Sequence, residues 1–244
     1  MAQNPCHFFP RQRYKLLQTS EGPGGTGDRR ASWGRVTIIA PEAVVRYHEY
    51  AACVAGLDEH VRFVSIGEFV NSCTGGMLRD ATDGCVHSLK AVRVPHCRDS
   101  YAVVLTAAHS GYRVVYSGDC RPSPRLVMEG SGCDLLIHEA TFDDSRQQDA
   151  LTKAHCTTSE AVDAATKMGA AHLILTHFSQ RYPKTSQSFR QTVAQTGACG
   201  EFAVAFDFLR VSLPSQLSCL SAVTDHIVAV LGEVGQTAEV IYNH

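Results

Sequence analysis

The sequence predicts an α/β layered fold, because apolar runs of strand length alternate with segments of helical periodicity along most of the chain. Several of these runs end in a polar residue or a glycine, as in VVYSGD and LILTH. The composition is that of an ordinary globular protein, with 244 residues, 44% hydrophobic and 19% charged. No internal repeat is visible, so the elements are not copies of one repeated unit.

The first part of the chain predicts a tail followed by the start of a folded domain. Residues 20–34 are rich in glycine and polar residues, which favours a flexible tail or linker over residues 1–34 and a domain over 35–244. Pro41 begins a stretch of helical periodicity and Gly56 ends it. The elements expected here are a strand over 35–41, a helix over 41–56, a second strand over 60–66 and an irregular segment over 69–86.

Strands dominate the middle of the chain, and helices join them. Ser110 and Gly111 predict the turn of a hairpin between two apolar runs. Thr157, Glu160 and Gly169 form the cap, the capping-box partner and the terminator of a helix over 157–169. The other expected strands and helices are 87–94, 100–107, 112–118, 133–140, 171–177 and a strand pair in 202–213, with helices at 186–197 and 218–234.

Bulk properties exclude several classes of protein. The ten cysteines include no Cys-x-x-Cys pair, which argues against a zinc ribbon or finger. The net charge of −2 gives no overall attraction to nucleic acid, so any RNA contact must come from a local patch. No run of 18 apolar residues occurs, so we expect no transmembrane helix and no membrane partner.

Side chains of the types that bind metal ions lie at the ends of apolar runs. His96, Asp119 and His177 each occupy such a position, and Glu139 and His155 lie in similar contexts. Strand ends are the expected place for a site in an α/β sheet. A carboxylate can bridge two cations whereas an imidazole nitrogen binds one, so the pattern favours a dinuclear zinc site bridged by Asp119. His96 and His177 would then bind one metal each.

Four segments, VVYSGDC, LLIHEATF, AHCTTSEAV and LILTHFSQRY, carry a resemblance to a known family. Together they resemble ribonuclease Z, the tRNA 3′-end endonucleases of the metallo-β-lactamase superfamily, and above all the C-terminal half of the long eukaryotic form. The resemblance covers residues 35–210 and is dense between 93 and 182. It implies a metallo-β-lactamase-like αββα sandwich in which His96, Asp119 and His177 hold two zinc ions.

The resemblance also implies a function. It indicates a zinc-dependent endoribonuclease that removes the 3′ trailer from precursor tRNA, in the nucleus, the mitochondrion or both. His155 and Glu139 match the family's catalytic histidine and the carboxylate near it. Arg181 and Lys184, just past His177, would hold backbone phosphates. Two departures are small: the family usually has threonine where this chain has cysteine 120, and serine where it has cysteine 156.

One larger departure concerns the metal site. The family's His-x-His-x-Asp-His motif, which supplies four of seven ligand side chains, does not occur in this sequence. Each zinc would keep two protein ligands, whereas catalytic zinc sites use about three. We therefore expect a fold that is incomplete at its N-terminus, zinc that is weakly held, and little activity of this chain alone. An uncovered sheet face would favour self-association.

Two alternatives remain open. In the first, the chain is a non-catalytic remnant that acts as a binding or assembly module. In the second, the fold is the same but the substrate differs, as in another phosphodiesterase or a thioester hydrolase. The HEAT and HCTT segments argue against the second alternative.

Overall fold

A computed structural model describes residues 36–57, 60–71, 84–179, 201–205, 209–213 and 215–222. All of them belong to a unit that spans Arg35–His244, and the proposed boundary near residue 35 stays a prediction. The strands are β1 Val36–Ala40, β2 Val61–Ser65, β3 Val86–Arg93, β4 Tyr101–Ala107, β5 Arg113–Tyr116, β6 Leu135–Glu139, β7 His172–Thr176 and β8 Glu201–Val204. The α-helices are α1 Glu42–Val54, α2 Ile66–Asn71, α3 Pro124–Gly130, α4 Gln147–Lys153 and α5 Thr158–Met168.

Six strands form one mixed sheet in the order β3-β4-β5-β6-β7-β8. The pairs β3–β4 and β4–β5 are antiparallel, whereas β5 to β8 are parallel to their neighbours. Strands β1 and β2 form a separate parallel pair that encloses α1 in the sequence. The structure confirms the α/β prediction, and the hairpin predicted around Ser110 and Gly111 joins β4 to β5.

Both faces of the central strands bury apolar side chains. In β5, β6 and β7 alternate residues point to opposite faces, as the pleat of a strand requires. One face packs against α3 and α5, and the other packs near the 3₁₀ helix Leu217–Cys219. The first cluster includes Val115, Leu136, Leu173, Val162 and Met168, and the second includes Leu135, Ile174, Ala203, Leu217 and Leu220.

Helix α5 forms where the sequence predicts it. The Thr157 side chain accepts a hydrogen bond from the Glu160 backbone N–H, and the Glu160 carboxylate accepts one from the Thr157 backbone N–H. Gly169 ends the helix in the left-handed conformation at φ +67°. The buried face of the helix includes three alanines together with Val162 and Met168. This cap places His155 and Cys156 immediately before the helix.

Other elements differ from the predictions. Helices α3 and α4 were not expected, and α2 occupies the start of the segment predicted to be irregular. For α3 the signal was present, because Ser123 caps the helix and Pro124 occupies its first turn. Of the predicted strand pair in 202–213, the structure describes β8, and the described residues 209–213 contain no strand. The predicted helix at 186–197 lies outside the described residues, as does that at 218–234 beyond residue 222.

Strand β4 is buried unequally on its two faces. Ala102 and Val104 are buried, whereas Val103 and Leu105 keep partial exposure.

Within the residues that the structure describes, no helix is both long and apolar enough to cross a membrane.

Candidate functional site

The candidate residues lie where three neighbouring parallel strands end. Asp119 follows β5, Glu139 is the last residue of β6, and His177 follows β7. The register of β6 against β7 pairs Glu139 with Thr176. Carboxyl ends of parallel strands meet at one edge of a sheet, which brings these three side chains together. The Nε2 atom of His177 lies 3.7 Å from the Oδ1 atom of Asp119.

Two residues turn the chain sharply into this edge. Gly118 has φ +58°, and a Cβ atom built on it would lie 2.8 Å from the Tyr101 carbonyl oxygen. His177 has φ +61°, which is rare for a residue with a side chain. Such conformations cost energy and persist where the surrounding structure fixes them. The turn at Gly118 therefore presses the Asp119 loop against the start of β4.

Replacing Gly118 by alanine should lower the free energy of unfolding by about 2–4 kcal/mol, since the new Cβ meets backbone that cannot move aside. Gly111 provides the matched control. Its φ is +67° but nothing lies within 4 Å of a built Cβ. Gly111→Ala should therefore cost about 1 kcal/mol, the conformational penalty alone. Chemical denaturation of both variants measures the difference, and equal losses would mean that the close approach to Tyr101 is unimportant.

Three histidine rings gather beside the Asp119 carboxylate. The ring of His155 lies between those of His96 and His177, with centroid separations of 4.7 Å and 5.3 Å. Candidate ligand atoms of His96, Asp119 and His155 all lie within 4.8 Å of one another, and those of Glu139, His155 and His177 do so as well. The structure thus brings together all five of the central residues singled out in the sequence.

The hydrogen bonds of the histidines determine which ring nitrogens are available. The Nδ1 atom of His96 lies 2.8 Å from the Ala154 carbonyl oxygen, which can only accept, so Nδ1 donates. The Nδ1 atom of His177 lies 2.8 Å from the Thr141 hydroxyl oxygen. In both rings Nε2 is left with its lone pair. Fixing Nδ1–H in this way is the arrangement usual for metal-binding histidines. Together with the Asp119 carboxylate, the donor set fits zinc.

Thr141 connects the site, although the sequence reasoning did not single it out. Its hydroxyl lies 2.6 Å from Oε2 of Glu139, and because a carboxylate can only accept, the hydroxyl donates there. The hydroxyl oxygen therefore accepts from Nδ1–H of His177. The signal that could have found it is the threonine of HEATF, two residues after the candidate carboxylate.

The Glu139 carboxylate is buried and fully engaged. Oε1 accepts from the Cys120 backbone N–H and from Nδ1 of His155, each at 2.8 Å. Oε2 accepts from the backbone N–H of Thr141 at 3.2 Å and of Cys156 at 3.1 Å, in addition to the Thr141 hydroxyl. Burial alone would raise the pKa of Glu139, but the hydrogen bonds from His155 and Thr141 hold it below its ordinary value. Glu139 is therefore an anion at neutral pH.

The hydrogen bond between His155 and Glu139 also sets the charge of His155. Burial tends to lower the pKa of His155, but the hydrogen bond and negative charge of Glu139 raise it above its ordinary value. Nδ1 donates to the carboxylate, and Nε2 is the atom left to give or accept a proton. The larger protonated fraction at neutral pH makes His155 suited to donating a proton.

An ion pair outside the cluster fixes the backbone of His155. The Arg121 guanidinium binds both carboxylate oxygens of Glu160, and Nη1 of Arg121 also donates to the His155 carbonyl oxygen at 2.6 Å. The Arg121 backbone N–H donates to the Pro95 carbonyl oxygen at 2.7 Å. Arg121 thus links the segments that carry His96, Asp119 and His155.

Glu160 should make stability depend on pH. Burial tends to raise the pKa of Glu160, but its hydrogen bonds, that from Arg121 foremost, lower it below the unfolded value of about 4.3. The stabilisation is present above that value and is lost as pH falls through the folded pKa. The difference in free energy of unfolding between wild type and Glu160→Gln should therefore shrink as pH falls below about 4.3. Arg121→Gln should weaken the pH dependence of stability in the same way. A difference in free energy of unfolding between wild type and Glu160→Gln that stays constant with pH would contradict the role of the Glu160 carboxylate.

Arg181 and Lys184, the predicted phosphate contacts, lie outside the described residues.

Comparisons with known proteins agree with this architecture. A model of the family described as the beta-lactamase superfamily domain matches residues 24–178. The chain is similar to the zinc phosphodiesterase ELAC protein 2 homolog of Caenorhabditis elegans, with 50% identity over 96 residues, 39% of this chain and 11% of that protein. It is similar to tRNase Z TRZ3, mitochondrial, of Arabidopsis thaliana, with 36% identity over 137 residues, 52% of this chain and 15% of that protein.

A solved structure gives the same result for the fold. The long form RNase Z from yeast superposes with a TM-score of 0.60 and 26% sequence identity, covering 71% of this chain and 28% of that chain. The chain thus matches a small part of its curated relatives, 11% and 15% of the two proteins named above.

Proposed function

This chain belongs to the beta-lactamase superfamily, and we propose that it contributes part of the catalytic centre of a zinc-dependent endoribonuclease that removes the 3′ trailer from precursor tRNA. The observation that carries the proposal is the Glu139–His155 pair beside Asp119 and His177 at one sheet edge. The relatives named zinc phosphodiesterase and tRNase Z support the choice of metal and substrate. The name of the Arabidopsis relative supports a mitochondrial location, while a nuclear one stays a prediction.

His96, Asp119 and His177 would hold zinc through two imidazole nitrogens and a carboxylate. When bound, zinc supplies a Lewis acid for phosphodiester chemistry. The chain's own residues do the rest. Thr141 fixes the ring of His177 through Nδ1, and the Ala154 carbonyl does the same for His96. The donor atoms are thereby oriented before a substrate arrives.

His155 is the proton donor of the proposed reaction. When water attacks phosphorus, a new P–O bond forms as the bond to the 3′ oxygen breaks, and that leaving oxygen of the tRNA body needs a proton. His155 gives it from Nε2, while Glu139 keeps Nδ1–H oriented and the ring protonated. Arg181 and Lys184 remain proposed contacts to backbone phosphates of the tRNA.

The ligand count favours low activity for these 244 residues alone. The sequence offers three of the seven side chains that the family pattern uses, so each zinc would have two protein ligands. We expect the purified chain to cleave little precursor tRNA in the presence of zinc, measured as release of the 3′ trailer on a gel. Robust zinc-dependent cleavage by the folded chain would contradict this expectation.

The same ligand count favours the second candidate, a non-catalytic binding or assembly module. The two proposals differ in a version of the protein that supplies the His-x-His-x-Asp-His ligands. A zinc-dependent nuclease cleaves precursor tRNA in that version, whereas a module without catalytic function stays inactive although folded and zinc-loaded.

A further inference from the structure

Three side chains that the proposed reaction does not use meet in the interior directly behind the candidate site. They are Cys120, His138 and Cys156, with exposed fractions of 0%, 2% and 0%. Their two sulfur atoms and a ring nitrogen all lie within 4.8 Å of one another. Each is the sequence neighbour of a candidate residue: Asp119, Glu139 and His155 face the sheet edge, and the residues beside them face inward.

The ring of His138 is oriented as a ligand. Its Nδ1 lies 2.7 Å from the Glu139 backbone carbonyl oxygen, which can only accept, so Nδ1 carries the hydrogen. Nε2 is then the atom with a lone pair. A histidine that donates Nδ1–H to a carbonyl and keeps the lone pair of Nε2 is held as metal-binding histidines are. Here the ring also shares a hydrogen bond with the Cys120 side chain.

The two cysteines are in an environment different from that of an ordinary buried thiol. Cys133 is also buried, but its sulfur contacts the Met168 sulfur at 3.5 Å, and it belongs to none of the potential ligand groups in the described chain. Cys156 contacts the segment that carries Cys120: the Cys156 sulfur lies 3.0 Å from the Cys120 carbonyl oxygen. That oxygen accepts a hydrogen bond from the Cys156 thiol, and it is a further potential ligand atom beside the two sulfurs and the imidazole.

From this geometry we propose that Cys120, His138 and Cys156 form a second metal site, buried and specific for a thiophilic divalent ion such as Zn²⁺. Sulfur and imidazole nitrogen are the donors that zinc prefers in closed sites. On binding, both thiols lose their protons to solvent, and two thiolates with one divalent ion leave the cluster without net charge. A neutral cluster avoids the cost of burying an unpaired charge.

An ion at this site would join the three segments that carry the candidate residues. Cys120 follows β5, His138 lies in β6, and Cys156 precedes α5. The bond network would resist separation of these segments, so binding should raise the melting temperature of the chain. The proposal does not depend on the nuclease assignment, because it shares no ligand with the set His96, Asp119 and His177.

Cobalt(II) is a suitable probe, since thiolate ligands produce an intense near-ultraviolet charge-transfer band that nitrogen and oxygen ligands do not. The reduced 244-residue chain is refolded with one equivalent of Co²⁺, because the cluster is buried. We expect the band in wild type, its loss in Cys120→Ser and Cys156→Ser, and its retention in the matched control Cys133→Ser. His177→Gln, which alters only the candidate site, should also retain the band.

A second measurement needs no variant. With one equivalent of Zn²⁺, X-ray absorption at the zinc edge should show two sulfur ligands in the wild-type protein, and the melting temperature should rise. Folded wild type without a charge-transfer band and with only nitrogen and oxygen around zinc would overturn the proposal. Retention of the band in the two serine variants would do so as well.

Discussion

Replacing Glu139 by alanine should lower the free energy of unfolding by about 3–5 kcal/mol, because the buried carboxylate accepts hydrogen bonds from several buried donors at once. Its side chain is 2% exposed, and it accepts from three backbone N–H groups, the Thr141 hydroxyl and the His155 ring. Each buried donor left unpaired costs about 1–3 kcal/mol. Urea denaturation followed by circular dichroism measures the loss.

Glutamine is the sharper substitution at this position, since it keeps the size but replaces one oxygen by an amide nitrogen. Both carboxylate oxygens accept from at least two donors, so either orientation places N–H groups against N–H groups. Glu139→Gln should therefore also be destabilised. Glu42 is the matched control, because its side chain is 58% exposed and forms a surface ion pair with Arg46, so Glu42→Ala should change stability by about 0.5 kcal/mol or less. Equal effects at Glu139 and Glu42 would refute the role of the buried carboxylate.

Replacing His155 by alanine, in a version of the protein that supplies the other metal ligands, should lower the rate of precursor tRNA cleavage by about 10²–10⁴-fold. The physical reason is the loss of the proton donor at Nε2, which Glu139 keeps charged and oriented. Zinc content should change little, because the three proposed ligands remain. Single-turnover cleavage measures the rate, and metal analysis measures the zinc.

His109 provides the control for this prediction. It is exposed in the turn between β4 and β5, and His109→Ala should cleave at the wild-type rate. A wild-type rate in the His155 variant would remove His155 from the mechanism. A large loss of zinc in that variant would show instead that His155 is a metal ligand, as its position within 4.8 Å of His96 and Asp119 allows.

Much of the fold was predictable because local signals agreed with packing. The capping box of Thr157 and Glu160 fixed α5, and the turn at Gly111 fixed the hairpin of β4 and β5. Helices α3 and α4 were missed since each has seven residues, too few for periodicity to separate them from loop. The strand expected after β8 does not form in residues 209–213, where alternation of apolar residues was the only argument for it.

For the candidate site, residue types at strand ends could be predicted, but the hydrogen bonds among them could not. The parallel order of β5, β6 and β7 explains why Asp119, Glu139 and His177 meet. Nothing in the sequence showed that Thr141 donates to Glu139 and accepts from His177, because that depends on side-chain directions. In the sequence, Cys120 and Cys156 are only small departures from the family pattern, and it is the packing that places both beside His138.

We propose that Asp119 belongs to the metal centre of a tRNA 3′-end nuclease. The most direct test joins this chain to a segment that carries the His-x-His-x-Asp-His motif, and measures 3′-trailer release from precursor tRNA with and without zinc. We predict zinc-dependent cleavage that Asp119→Asn abolishes and that Asp163→Asn, an exposed aspartate on α5 paired with Lys167, leaves intact. Failure of the folded, zinc-loaded fusion to cleave, or an unchanged rate in Asp119→Asn, would contradict the claim.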